Sequence, residues 1–141
     1  MIARAARIYD KVSRTMLYPQ DMARLGVFLD GTGTAVQVKK KGLFSKTVVA
    51  KLQNVVVMYL TGLKTDRGED IWEGDILDVD IPTDWGSCLK ARGYMQWHAH
   101  DGKWFVHIPN PPALIAQGED FHLVGATRQG DIYQTPELLK V

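Results

Sequence analysis

The sequence predicts a mainly β protein, β-rich α+β at most. The 13 glycines among its 141 residues lie mostly between short runs rich in Val, Ile, Trp and Tyr, a pattern typical of strands joined by turns. Hydrophobic residues make up 45% of the chain and charged residues 23%. This composition is that of an ordinary globular domain and excludes a disordered chain.

A first β-hairpin is predicted near residue 30. The runs GVFL (26–29) and AVQV (35–38) flank the segment DGTGT, in which glycines adopt positive φ at little cost. Three lysines follow, Lys39, Lys40 and Lys41, and we expect them to leave the hairpin in a polar loop.

Residues 47–60 are ambiguous between helix and strand. Val48, Leu52 and Val55 fit a helical spacing, whereas the β-branched content favours a strand, and we expect a strand over residues 54–60. Its residues 55–60 are apolar on both faces. Such a strand is either central in a sheet or covered by another chain, which points to self-association.

A turn-rich connector over residues 61–69 leads to the alternating run ILDVDI (76–81). Alternation places its apolar side chains on one face of a strand and Asp78 and Asp80 on the other. Pro82 is expected to end this strand.

A second hairpin is predicted over residues 94–108, because Asp101-Gly102 is a strong signal for a two-residue turn. This turn pairs His98 with Phe105. The predicted apolar face carries Met95, Trp97, Ala99, Trp104, Val106 and Ile108. The opposite face carries Gln96, His98, His100, Lys103, Phe105 and His107.

The remainder of the chain has weaker signals. Prolines at 109, 111 and 112 are expected to break the sheet, and residues 121–124 are expected to form a further strand. Thr135-Pro136-Glu137 has the composition of a helix start, so a short helical turn is predicted there.

Charge and cysteine content exclude several classes of protein. The formal net charge of +1 supplies no broad positive field for non-specific nucleic-acid binding. The single cysteine, Cys88, cannot form an internal disulfide, which is typical of a reducing compartment. No apolar run reaches the length of a membrane span or signal peptide, so we expect a cytoplasmic protein.

Three motifs resemble those of the YopX-like family of bacteriophage and prophage proteins. TGLKTDRGEDIWEGDIL (61–77) resembles the family's TGLKDxxGxxIYEGDI, RIYD with Met16 resembles FRAWDxxxxxM, and GDIYQTPELL (130–139) resembles GNIYENPELL. Thr65 stands where the family usually has Asp, and Thr135 replaces Asn. Residues 26–46 and 83–93 match no family motif.

The resemblance implies a single domain over residues 1–141, with an N-terminal β-rich part (1–60) and a barrel-like part (61–141). It also implies a phage or prophage protein in the cytoplasm of a bacterial host, of no established activity and with no catalytic residues. The Glu-Gly-Asp-Ile turn, an alternating strand and a tight hairpin resemble the start of a small SH3-like barrel.

The central motif itself is predicted to be structural. Its glycines, Gly62, Gly68 and Gly74, permit tight turns, and Asp66 and Asp75 can cap backbone amides. Its apolar residues supply core: Ile71, Trp72 and Ile76.

The most specific chemical hypothesis concerns three histidines. His98, His100 and His107 fall on one face of the predicted hairpin, with His98 and His107 as diagonal neighbours within reach of a shared divalent ion such as zinc. The alternative is a set of polar residues on a solvated face. That alternative is favoured because no carboxylate falls on this face.

No pattern predicts an enzyme. Asp75, Asp78 and Asp80 are close in sequence, as paired acid–base carboxylates would be, but no partner base or nucleophile lies near them. Solvated strand-face charge is the favoured interpretation. We therefore expect no catalytic residue, no cofactor and no small-molecule substrate.

Two binding hypotheses remain. Phe105, on the polar side of its hairpin, and Trp85 are candidate exposed aromatics at an interface with a protein partner or a second copy of the chain. The alternative is a nucleic-acid-binding regulator that uses the loop over residues 39–51. This loop carries the basic concentration Lys39, Lys40, Lys41, Lys46 and Lys51, with Phe44 between them.

Overall fold

A computed structural model describes residues 5–41, 46–82, 86, 88–109, 112–116 and 126–139. The fold is mainly β, as predicted: the described residues form twelve strands, one α-helix and one 3₁₀ helix. The chain divides into two compact units, Met1–Tyr59 and Leu60–Val141. Each unit is described by itself.

The first unit contains short antiparallel strands and the α-helix. Its elements are β1 (Ala6–Asp10), β2 (Thr15–Leu17), α1 (Pro19–Leu25), β3 (Val27–Leu29), β4 (Ala35–Lys41), β5 (Lys46–Lys51) and the start of β6 (Val55–Lys64). Strand β1 pairs antiparallel with both β2 and β6. Strands β3, β4 and β5 form an antiparallel sheet in that order, which confirms the first predicted hairpin.

Helix α1 has local start and stop signals that the sequence analysis missed. Pro19 occupies its first turn, and the Asp21 carboxylate accepts a hydrogen bond of 3.0 Å from the backbone N–H of Tyr18. Gly26 ends the helix with φ +70°. A Cβ at Gly26 would lie 2.9 Å from the carbonyl oxygen of Val38, so glycine also permits the close approach of β4.

The core of the first unit explains the apolar character of β6. A buried cluster consists of Ile8, Met22, Val27 and Ala35. Val55 and Val57 pack against this cluster, and Met58 is buried. The first half of β6 is therefore covered within the chain, so its composition no longer indicates self-association.

The lysine segment does not form the expected polar loop. Lys39, Lys40 and Lys41 belong to β4, and the ladder between β4 and β5 continues to the pair Lys41 and Lys46. The expectation was wrong because β5, which the sequence left ambiguous between helix and strand, supplies backbone partners for all three lysines.

The second unit is built on a five-stranded antiparallel sheet of order β11-β10-β9-β8-β12. Its elements are β7 (Asp70–Trp72), β8 (Asp75–Pro82), β9 (Cys88–His98), β10 (Lys103–Pro109), β11 (Pro112–Ala116), β12 (Thr127–Asp131) and the 3₁₀ helix Pro136–Leu139. The sheet curls into a half-barrel. An SH3-like barrel in the strict sense stays a prediction.

The prolines after residue 108 do not break the sheet. Pro109 ends β10 and Pro112 begins β11, and the two residues pair across that hairpin. Pro82 ends β8 and the 3₁₀ helix forms at Pro136, both as predicted. The strand predicted over residues 121–124 lies outside the described residues.

The β9–β10 hairpin has the predicted faces but a different register. Phe105 pairs with Gln96, and His98 pairs with Lys103, a shift of two residues from the expected pairing. A two-residue turn of type I′ needs positive φ at both central residues. In this turn Gly102 alone has positive φ, and its N–H donates to the carbonyl oxygen of His98, which closes a four-residue loop. A shift of two residues preserves which side chains share a face.

The central motif has the turn glycines and the core residues that were predicted. Gly62, Gly68 and Gly74 have φ values of +82°, +80° and +85°, which glycine adopts readily. Ile71, Trp72 and Ile76 are buried. The backbone N–H of Asp66 donates to the carbonyl oxygen of Ala126.

A buried carboxylate joins the central motif to β12 through an ion pair. The fully buried carboxylate of Asp75 accepts hydrogen bonds from the backbone N–H of Trp72 (2.8 Å) and from Nε of Arg128 (3.0 Å). Asp131, also buried, accepts hydrogen bonds from the N–H groups of Tyr133 and Gln134. The motif therefore stabilises the unit through a carboxylate that is 53 residues away from its arginine partner.

Candidate functional site

One face of the β9–β10–β11 sheet carries aromatic, imidazole and leucine side chains. Alternation along the strands turns Met95, Trp104 and Val106 into the core and leaves their neighbours on the other face. We call this second set the aromatic–histidine strip. It consists of Tyr94, His98, Phe105, His107 and Leu114.

A cross-strand row forms one end of the strip. Tyr94, His107 and Leu114 lie directly opposite one another on β9, β10 and β11. The Tyr94 hydroxyl and Nδ1 of His107 share a hydrogen bond of 2.9 Å, and the two ring centroids are 5.0 Å apart. The Leu114 side chain is 54% exposed, so the row ends in an accessible apolar group.

A ring stack forms the other end of the strip. The rings of His98 and Phe105 are 4.3 Å apart between centroids and inclined by 36°. Nε2 of His98 is buried and has no hydrogen-bond partner among the described residues. A buried polar atom left unsatisfied costs about 1–3 kcal/mol.

Charged side chains border the strip along β8 and β9. Arg92 donates to both carboxylate oxygens of Asp78, at 2.6 Å and 3.0 Å, and to the carbonyl oxygen of Leu138. The hydrogen bond to Asp78 raises the pKa of the Arg92 guanidinium above its ordinary value. Lys90 lies opposite Asp80 on the neighbouring strand. These residues line an open cleft of about 400 Å³.

The cleft has the chemistry of a polar surface. The Asp78 carboxylate is held by Arg92, and the side chains of this pair are each 38% exposed. Opposite charges on neighbouring strands stabilise a sheet modestly. Asp75, the third carboxylate of the sequence hypothesis, is buried against Arg128 instead. The geometry therefore places Asp78 and Asp75 in two separate ion pairs.

The histidines do not have the arrangement that the metal hypothesis requires. His98 lies opposite Lys103 and His107 opposite Tyr94, so the two histidines are four residues apart along the sheet, about 13 Å at the usual rise per residue. His100 is exposed in the turn. The described residues contain no group of three or more His, Cys, Asp or Glu side chains that could hold a metal ion. The diagonal pairing was wrong because the turn has four residues.

The binding residues predicted from sequence divide into three groups. Phe105 lies in the strip, half-buried. Lys39 is exposed on β4, and the backbones of Lys40 and Lys41 follow it on the same strand. Trp85 and Phe44 lie outside the described residues.

Sequence reasoning missed Tyr94, Leu114 and Arg92. Tyr94 was placed in the hairpin but not opposite His107, because the assumed turn was two residues too short. Leu114 was missed because the prolines that flank its strand concealed β11. The available signal was strand alternation. It puts the even-numbered residues of β9 and the odd-numbered residues of β10 on the same face of the sheet.

The fold and this surface define a small, mainly β protein whose two compact units are built from antiparallel strands. The family model for the YopX protein matches residues 7–140. The chain therefore belongs to the YopX family, as its three motifs predict. A comparison with curated proteins finds no match.

Among solved structures, the chain is similar in fold to protein EF1440 from Enterococcus faecalis. The TM-score is 0.56 at 20% sequence identity, over 99% of this chain and 100% of that one. At this identity the likeness concerns the fold alone. No helix among the described residues is long and apolar enough to cross a membrane.

Proposed function

We propose that this YopX-family protein is a non-catalytic binding module that holds a protein partner on the aromatic–histidine strip. The exposed Leu114 side chain, on the same sheet face as the half-buried ring contact of His98 with Phe105, is the observation that supports this proposal most. A bound partner would cover these apolar groups.

The chemistry of the strip favours a protein as the partner. Aromatic side chains supply large contact areas at small entropic cost and are enriched at the centres of interfaces. Leu114 adds an exposed aliphatic anchor. Polar and charged side chains at the border, such as Arg92 and Lys103, match the polar rim of protein interfaces.

The proposal is that of a non-enzyme in a bacterial cytoplasm, acting as an accessory protein of a phage or prophage. The contacts of the ionisable side chains support the absence of catalysis. Asp78 and Asp75 form ion pairs with arginines, and the imidazoles of His98 and His107 contact aromatic rings. The phage context rests on the resemblance of the three sequence motifs.

Affinity capture with matched variants tests the proposal. Tagged wild type, Phe105→Ala and Phe28→Ala are used to capture proteins from nuclease-treated host lysate, with circular dichroism to confirm folding. Phe28 is a matched control because it is an exposed phenylalanine of the other unit. We expect one protein to be retained by wild type and by Phe28→Ala and lost with Phe105→Ala. Equal retention by all three would contradict the proposal.

A second candidate function is that of a nucleic-acid-binding regulator that uses the lysines of residues 39–51. The β4–β5 register favours it, because the ladder sets Lys41 opposite Lys46 and so concentrates positive charge at the end of one hairpin. Fluorescence anisotropy with labelled DNA at rising salt tests it. Binding that weakens steeply with salt is expected, and signals without salt dependence would contradict it.

A further inference from the structure

The five-stranded sheet of the second unit has two edge strands, β11 and β12. Among the described residues, β11 pairs with β10 alone and β12 pairs with β8 alone. An edge strand presents a row of backbone N–H and C=O groups that can pair with a further strand. Proteins block such pairing with bulges, with charged side chains or with other segments that bind the edge. The two edges of this sheet differ in that protection.

The β12 edge is protected in all three ways. A register shift between Arg128 and Gly130 makes a bulge. The strand carries two charged residues, Arg128 and Asp131. The backbone of Asp131 is bound by Thr135, whose N–H donates to the Asp131 carbonyl oxygen and whose hydroxyl accepts from the Asp131 N–H. The addition of a strand at β12 is therefore disfavoured.

The β11 edge has little of this protection. Its sequence, PALIA, contains only apolar residues, and it pairs with β10 without a register shift. Pro112, Ala113 and Leu114 are exposed, and Leu114 is 54% exposed. Pro112 lacks an N–H, but it is the first residue of the strand, a position that leaves the ladder beyond it intact. A regular, apolar and accessible edge of this kind favours strand pairing.

The sequence of β11 matches a second copy of itself. Antiparallel pairing about a two-fold axis at the centre of the strand places Leu114 opposite the Leu114 of the second copy, and Ala113 opposite Ile115. The two exposed leucines would cover each other. The small side chain of Ala113 leaves room for the larger Ile115, which is half-buried within one copy.

The charge of the two outermost strands also permits this pairing. Residues 104–109 and 112–116 contain no Asp, Glu, Lys or Arg. Like charges directly opposite each other destabilise a pair of strands. Two identical edges meet without that repulsion only where the edge is uncharged, as β11 is. A second copy is therefore a better match for β11 than a charged segment of another protein.

We infer that β11 pairs antiparallel with the β11 of a second copy and joins the two five-stranded sheets into one. The inference goes beyond the proposed function and does not depend on it, because strand pairing occurs in the plane of the sheet and leaves the face of the aromatic–histidine strip open. One strand pair is small beside the interface of an obligate dimer. The dimer should therefore dissociate on dilution in the micromolar range.

Sedimentation equilibrium of the full chain tests the inference, over concentrations from about 1 μM to 1 mM. Leu114→Lys and Leu114→Glu each place like charges opposite each other at the two-fold axis, whereas an equimolar mixture of the two variants places opposite charges there. Leu89→Lys is the matched control, because Leu89 is a 53% exposed leucine of the same unit that lies on β9. Circular dichroism confirms that each variant folds, as expected for substitutions at exposed positions.

The expected result is a reversible dimer of the wild type and of Leu89→Lys. Leu114→Lys and Leu114→Glu should each raise the Kd of the dimer by about 10-fold or more, because two leucines lose their apolar contact and like charges replace them. Mixing the two variants should restore most of the dimer. Only residues that face each other across the interface give that rescue.

Three results would overturn the inference. The first is a wild type that stays monomeric throughout the concentration range. The second is an equal loss of dimer in Leu114→Lys and Leu89→Lys, which would place the contact elsewhere on the surface. The third is a mixture of the Lys and Glu variants that stays monomeric, which would exclude the pairing of Leu114 with its own copy and leave β11 to another partner.

Discussion

Replacing Asp75 by alanine removes a fully buried carboxylate from the centre of the second unit. The substitution takes away the acceptor for the Trp72 N–H, at 2.8 Å, and for Nε of Arg128, at 3.0 Å. We expect a large loss of stability, because Asp75 begins β8 and its carboxylate is fully buried.

The magnitude follows from these two bonds. A hydrogen bond to a charged group contributes about 1.5–3 kcal/mol, and a buried amide left without an acceptor costs about 1–3 kcal/mol. The Arg128 side chain is 28% exposed, so water can solvate its guanidinium and the ion-pair contribution lies at the low end of its range. The free energy of unfolding should therefore fall by about 3 kcal/mol, or about 10 °C in Tm.

Urea denaturation followed by tryptophan fluorescence measures this change. Asp78→Ala is the matched control, because Asp78 lies on the same strand and also pairs with an arginine, but its side chain is 38% exposed. An exposed pair should contribute no more than about 1 kcal/mol. Equal losses in the two variants would refute the argument that burial gives the Asp75 pair its importance.

Three further predictions concern a close approach, a titration and the core. In Gly93→Ala, the new Cβ would lie 2.5 Å from the carbonyl oxygen of His107; urea denaturation should show a loss of about 1–3 kcal/mol, and unchanged stability would contradict the close approach. The Thr32 hydroxyl, followed by backbone N–H groups, lowers the pKa of Asp30 below its ordinary value of 3.8. The stabilisation of that turn is thus complete above pH 3.8 and is lost as pH falls through the lowered pKa of Asp30. An NMR titration of the Asp30 carboxyl with a midpoint at or above 3.8 would contradict this. Changing the fully buried Ile71 to alanine should lower the free energy of unfolding by about 2–5 kcal/mol. A calorimetric Tm equal to that of wild type would contradict the placement of Ile71 in the core.

Local patterns predicted much of the fold. Alternation in β8 and in the β9–β10 hairpin assigned the core face correctly, because side-chain direction in a strand depends only on parity. The turn at Asp101-Gly102 was located but given the wrong length, because sequence does not show which turn residues adopt positive φ. Helix α1 was missed because seven residues, Pro19–Leu25, are too few for a clear helical period.

The candidate site was predicted less completely. Phe105 was identified because it is an aromatic residue on a polar face. His98 was predicted directly opposite Phe105, whereas the structure places it opposite Lys103, so that its ring contacts Phe105 diagonally. The ion pair of Asp75 with Arg128 joins residues 53 positions apart, and no short-range pattern reports such a pair.

Site-specific photocrosslinking at position 105 tests the proposed function most directly. Phe105 is replaced by benzoyl-phenylalanine, which keeps an aromatic ring in the strip, and Val12, 76% exposed in the other unit, is replaced in the same way as a control. After irradiation in host cells, the account predicts a discrete protein adduct at position 105 that is missing at position 12. Identical adduct patterns at the two positions, or none at position 105, would contradict a docking surface on the aromatic–histidine strip.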